Sequence, residues 1–228
     1  MIDQTMEIKS LKDELRIILQ TEARVEYHPE FMEKCKIYIE YEMKNQDEYY
    51  LDLNLAILKL YQLFPSYSDP MIASCILLKA LMKIPKNDFL LCKYLLTEDL
   101  ILNENIETIL KLNNYLGNAD YVKFWELLNV KSTLIKGIHE FENTIRFFIL
   151  GNIASTFKNV KRNYVLEQVN MKDNDPSFDR LIYNMGWKQE FDDIIMDSTR
   201  ISLLKNKNIG EKFDIDTIKK LMPALKTV

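Results

Sequence analysis

The sequence predicts a mainly α fold: a stack of helical hairpins followed by a winged helix, which carries a short β-hairpin, and a final helix. Three observations carry that expectation. One helix ending is written three times, as ILKLYQLFP at 57–65, ILLKALMKIP at 76–85 and ILKLNNYLG at 109–117. Each is a short apolar helical phrase carrying lysine and closed by a proline or a glycine. Short helices buried on one or two faces, each closed by a breaker, are how stacked helix pairs are written. Their spacing is irregular, so no strict solenoid of one named type follows. The pattern then changes after Gly137, where three helical segments precede short apolar runs separated by polar residues. Finally, 47% of the 228 residues are apolar, enough for a core without a disulfide or metal staple.

The elements justify themselves in order. Ile8, Leu11, Leu15 and Ile18 form a helical stripe, with Ser10 as a possible cap. Its polar side mixes Lys9, Lys12, Asp13 and Glu14, which favours a core-facing helix over one lying on a membrane. A second helix starts near His28-Pro29 and buries Met32, Cys35, Ile39 and Met43. The third, from about Leu51 to Phe64, is apolar over so wide an arc that it must pack on more than one side. Asp69-Pro70 starts a fourth that runs to about Ile84. Asn87 or Asp88 caps the next, Glu104 to Leu116 follows with Gly117 as its stop, and Asn118 caps a helix carrying Val122, Trp125, Leu127 and Leu128.

After Gly137, a helix is expected from Glu140 to about Lys158, a shorter one from Asn163 to Val169, and a third from Asp175-Pro176 to the Gly186-Trp187 pair. DDIIMD and IGEKFDI then read as short strands. Three helices followed by a small hairpin make a winged helix. A last helix, Asp216 to Lys226, has Ile218, Leu221, Met222 and Leu225 on one side, with Pro223 weakening its second half. The expected domains are therefore 1–137 (helical repeat), 138–215 (winged helix) and 216–228 (helical tail).

Catalytic chemistry is hard to find. The two histidines, His28 and His139, fall in different elements and suit surface or capping roles. Cys35, Cys75 and Cys92 show no metal-ligand spacing, and their odd number suits a reducing compartment. The five glycines form no phosphate loop, and no G-x-S-x-G occurs. Asp192 and Asp193, as neighbours on a strand, would point to opposite faces. No cofactor, metal or catalytic residue is expected. Nor is there a signal peptide pattern or an apolar run near the ~18 residues a membrane span needs.

The net charge of −4 excludes a strongly basic nucleic-acid binder. Asp173, Asp175 and Asp179 offset Lys172 and Arg180 around the third helix of the winged helix, so direct duplex reading is disfavoured. A small basic cluster, Lys158, Lys161 and Arg162, is the candidate RNA contact, with a solvated helix end as the plainer explanation. What remains is a protein–protein module. Its candidate partner residues are Ile194 and Met196 in the wing, Phe213, and Ile218, Leu221, Met222 and Leu225 in the tail.

Several phrases in the chain resemble a known family. NLAILKLYQLFP, ILLKALMKIPKNDFLLCK, GIHEFENTIRFFI and NIGEKFDID, together with Phe124-Trp125 and Gly186-Trp187, closely resemble the subunit K family of eukaryotic translation initiation factor three. The resemblance runs in order from about Tyr50 to Met222, with Met185 departing where tyrosine is expected. It implies a HEAT-like helical domain followed by a winged helix, similar to the PCI-type subunits of the proteasome lid and the COP9 signalosome. It implies a non-catalytic scaffold in a cytoplasmic complex on the small ribosomal subunit, with subunit L as neighbour and a nuclear share as the further option for its location. The proteasome-lid or signalosome subunits and a winged-helix nucleic-acid binder are the alternatives. The family brings no catalytic or ligand residues. Leu55, Leu60, Leu78 and Trp125 are expected in the core, and Lys59, Lys79 and Lys93 as solvated lysines.

Overall fold

The computed structural model describes residues 10–17, 29–45, 48–138 and 140–196. The expectations for Ile8, Ile18, His28, His139, Phe213 and the helix from Asp216 lie outside the described residues. Residues 10–17 form helix α1, with Leu15 wholly buried. Ser10 already lies in the helix rather than capping it. Helices α2 (Pro29–Lys44), α3 (Leu51–Leu63), α4 (Pro70–Leu81), α5 (Asp88–Tyr94), α6 (Glu98–Ile101), α7 (Glu104–Gly117) and α8 (Tyr121–Val130) complete the stack.

Helix α4 is its centre and packs against α2, α5 and α7. Its start is encoded locally: the Asp69 carboxylate accepts from the Met71 and Ile72 amides, and Pro70 occupies the first turn. Nine of its twelve residues are buried, Ile72 to Ser74 and Ile76 to Leu81. A helix so apolar all round is stable only inside a bundle. Its end comes earlier than the expected Ile84. The Lys83 and Ile84 amides bond back three residues, to Ala80 and Leu81, and tighten the chain into a turn. Pro85 explains this, because the residue before a proline is pushed out of the α region.

Helix α7 ends differently from the sequence expectation. Gly117 remains in the last helical turn, and Ala119 takes the left-handed conformation at φ 59°. The Asp120 amide bonds the Tyr115 carbonyl and the Ala119 amide that of Leu116, the paired bonds of a Schellman ending. Asn118 thus closes α7 instead of capping α8, whose side-chain cap is absent. Alanine pays a steric penalty in that conformation that glycine does not. Ala119→Gly is therefore expected to raise stability by about 0.5–1 kcal/mol after the entropy of the unfolded chain is counted. Thermal melting would register a rise, and a fall would show that the turn is not under this strain.

The second part consists of α9 (Phe141–Thr156), β1 (Asn159–Lys161), α10 (Arg162–Gln168), α11 (Pro176–Met185), β2 (Lys188–Glu190) and β3 (Asp193–Ile195). The strands form one antiparallel sheet in the order β1-β3-β2. Val160 faces Ile194 across the register, and both are buried. The expected short hairpin is present, formed by β2 and β3. DDIIMD contributes β3, whose partners are NVK and KQE; IGEKFDI lies outside the described residues. Three-residue polar strands carry no period-2 signal, and only pairing to β3 creates them. Helix α11 is bounded as the sequence implies. Asp175 accepts from the Ser177 amide, and Gly186 closes the helix at φ 73°. Apolar packing runs without a break from α1 to β3.

Candidate interaction surfaces of the winged helix

The joint between the two parts is built on Trp125. Its ring is buried edge-on against Phe124, with centroids 5.1 Å apart, and its Nε1 donates to the Gln168 carbonyl of α10 at 2.9 Å. The Arg146 guanidinium of α9 lies over the same ring at 5.1 Å and donates to the Val169 carbonyl at 3.2 Å. One indole therefore holds α8, α9 and α10 together. The Asn152 amide, donating to the Tyr121 hydroxyl at 3.0 Å, ties α9 to α8 a second time.

Arg162 is the hub of the winged helix. Its Nε donates to Asp173 Oδ1 at 2.7 Å, and Nη1 to Asp179 Oδ1 at 3.0 Å and Gln189 Oε1 at 2.6 Å. The guanidinium also lies 4.7 Å from the Phe178 ring centre. Burial works against its charge, but the Asp173 and Asp179 bonds outweigh it and hold the group above its usual value. With only 12% of its side chain exposed, Arg162 fastens α10 to the following loop, α11 and β2. Arg162→Gln is expected to cost about 1.5–3 kcal/mol, the range for charge-assisted bonds. Chemical denaturation checks this. Unchanged stability with weakened RNA binding would instead restore the nucleic-acid role.

The predicted basic cluster thus does not act as a unit. Lys161 pairs with Asp193 at 2.9 Å across the β1–β3 register, and that bond raises its pKa. Of these three cations, Lys158 alone is exposed and forms no ion pair with the described residues. The predicted wing contacts are also corrected. Ile194 is 0% and Met196 5% exposed, so both belong to the core. The reason is that β3 is the middle strand, so it offers no free edge, and Ile194 and Met196 lie on its buried face. Phe213, Ile218, Leu221, Met222 and Leu225 lie outside the described residues.

Other apolar side chains are exposed that sequence reading missed. On α5, Phe89 and Cys92 are buried, but Leu90, Leu91 and Tyr94 are not; Ile101 at the end of α6 and Leu102 after it are exposed as well. In FLLCKYLL every face is apolar, so the sequence cannot say which one stays uncovered. The tip of the wing is Phe191, fully exposed at φ 53°, and Tyr183 on α11 is 82% exposed. Apolar groups gathered on a surface are the usual mark of a protein contact. The cysteines offer no reactive thiol: burial raises all three, Cys75 to about 11 and Cys92 to about 12. No group of three or more metal-ligating side chains occurs among the described residues, and no helix there is long and apolar enough to cross a membrane.

Comparison with known proteins agrees with the architecture. The model of the CSN8/PSMD8/EIF3K family matches residues 67–209, which include α4 to β3. The chain is 33% identical over 196 residues to a protein of Drosophila willistoni named eukaryotic translation initiation factor 3 subunit K, covering 86% of this chain and 87% of the relative. It is 34% identical to the protein of that name from Drosophila persimilis and 33% to that from Drosophila grimshawi, over the same shares. With helical hairpins, a small antiparallel sheet and this likeness along most of its length, the chain belongs to the CSN8/PSMD8/EIF3K family, whose helical fold is PCI-like.

Proposed function

We propose that this protein is a non-catalytic structural subunit of eukaryotic translation initiation factor 3, serving translation initiation as a protein–protein scaffold. The observation that carries this reading is identity at about a third of positions, along most of the chain, to relatives that bear the name subunit K. The family is shared with signalosome and proteasome subunits. The relatives' shared name favours the translation factor over both. The exposed apolar side chains of α5 and α6 and the exposed wing tip support a role in assembly.

The finer assignments rest on the sequence resemblance. They are a neighbour corresponding to subunit L, indirect contact with the small ribosomal subunit, cytoplasmic location with a possible nuclear share, and no direct nucleic-acid contact. We assign the helical repeat to 1–137, the winged helix to 138–215 and the tail to 216–228. Gly137, at φ 94°, supports the first boundary. The spacing of Ile218, Leu221, Met222 and Leu225, with Phe213 before them, supports the tail as a partner contact. A tagged chain drawn from its own cell lysate at moderate salt is expected to bring subunit L and other initiation-factor subunits, identified by mass. Recovery of proteasome-lid or signalosome subunits instead would overturn the reading.

A further inference from the structure

A groove of ≈730 Å³ lies between the start of α9, the loop after α10 and the first turns of α11. Its apolar lining includes Phe147, 39% exposed although its neighbours Ile145 and Ile149 are buried, together with Met171 and Leu181. Around these stand three cations. Arg146 is held in place by Glu142, Asn143, the Val169 carbonyl and the Trp125 ring. Lys172 and Arg180 are exposed and form no ion pair among the described residues.

Two carboxylates share the lining, and both have internal work. Asp175 caps α11, and Glu140 accepts from the Asn143 amide. Three cations, Arg146, Lys172 and Arg180, against two carboxylates, Glu140 and Asp175, leave positive charge in excess in the lining, on a protein whose net charge is −4. Unpaired cations beside a half-exposed aromatic ring are complementary to a chain that brings carboxylates flanking an apolar side chain.

We propose that this groove docks a short acidic segment of another protein, with an apolar side chain set against Phe147 and carboxylates on Lys172 and Arg180. The proposal goes beyond subunit membership, because it names the chemistry of one partner segment. A nucleic acid fits less well. Its charge repeats at every nucleotide, so it would also meet the Glu140 and Asp175 carboxylates of the lining. A peptide can place its few carboxylates on the two free cations alone.

The test uses the full chain and synthetic peptides, so it does not depend on which complex the chain joins. Short fluorescent peptides, rich in Asp and Glu around one Phe or Leu, are titrated by polarisation alongside charge-inverted versions and an oligouridine. The acidic set is expected to bind in a salt-sensitive manner and the inverted set not to bind. Lys172→Glu with Arg180→Glu should weaken binding by about tenfold or more while melting stays unchanged. The neutral pair Lys172→Gln with Arg180→Gln should give an intermediate loss, and Phe147→Ser should weaken binding without changing its salt dependence. Equal binding of acidic and inverted peptides would overturn the proposal. So would acidic binding that survives the charge reversals, or oligouridine binding that exceeds the peptides' and is lost in the same variants.

Discussion

Replacing Lys79 by alanine is expected to destabilise the protein by about 3–5 kcal/mol, the cost of breaking a buried charged cluster from one side. Lys79 was expected in solvent and is instead 2% exposed. Its Nζ donates to the Asn45 carbonyl at 2.8 Å, so a lysine of α4 closes the C-terminal end of α2. Beside it lies Glu42, 1% exposed, whose Oε1 accepts from Asn54 Nδ2 at 3.2 Å and whose Oε2 accepts from the Tyr50 amide at 3.4 Å. Burial lowers the Lys79 pKa, while the Glu42 charge acts to raise it. Truncation would orphan the Asn45 carbonyl and remove a cation that favours the charged Glu42 carboxylate. Urea unfolding measures the loss; a change below about 1 kcal/mol would mean that water replaces the ammonium at no cost.

The same cluster sets a pH dependence. Burial raises the Glu42 pKa to about 7, only partly countered by Asn54 and Lys79. A carboxyl whose pKa is higher folded than unfolded binds its proton more tightly in the native state. Its stabilising contribution is complete below the ordinary carboxylate range and is lost as pH rises through about 7. The full swing is about 3 kcal/mol. Glu42→Gln should flatten the stability profile between pH 5 and 8 relative to the parent, leaving only what other groups contribute. Lys79→Ala should steepen it and carry it to higher pH. A parent and a Glu42→Gln variant with parallel profiles would refute this account.

Trp125→Ala is expected to cost about 3–5 kcal/mol, the usual result of removing a large buried ring. The loss combines a cavity among α8, α9 and α10 with an unsatisfied Gln168 carbonyl and an Arg146 deprived of its ring. Trp125→Phe separates these effects. It keeps much of the volume but not the donor, so about 1–3 kcal/mol should remain. Guanidinium unfolding of both variants checks the order. If phenylalanine were as costly as alanine, the bond to Gln168 would carry the joint rather than packing.

The helices were largely legible because their signals are local. Asp69-Pro70 and Asp175-Pro176 start helices through bonds to residues two or three positions on. The apolar spacing of Ile145, Ile149 and Ile153 marks a face whatever lies opposite. Helix ends were less legible. Gly117 looked like a stop, but the reversal falls on Ala119, where packing and paired backbone bonds override residue preference. Short α6, β1 and β2 have too few residues to show a period.

The candidate site was read least well. The Lys158, Lys161 and Arg162 cluster looked like one basic patch, yet two of the three are tied to carboxylates eleven or more positions away. Ile194 and Met196 looked like wing contacts until β3 proved to be the middle strand.

By itself, the sequence determined the fold class, the order of the helices and the family, because helical periodicity, caps and characteristic phrases are all written among near neighbours. Only the tertiary structure decided where charge is free and where it is buried. Lys79 meets a carbonyl 34 residues away, and Arg162 meets Gln189 27 residues away. A long cationic side chain goes wherever distant elements offer it acceptors, and no local pattern records that choice.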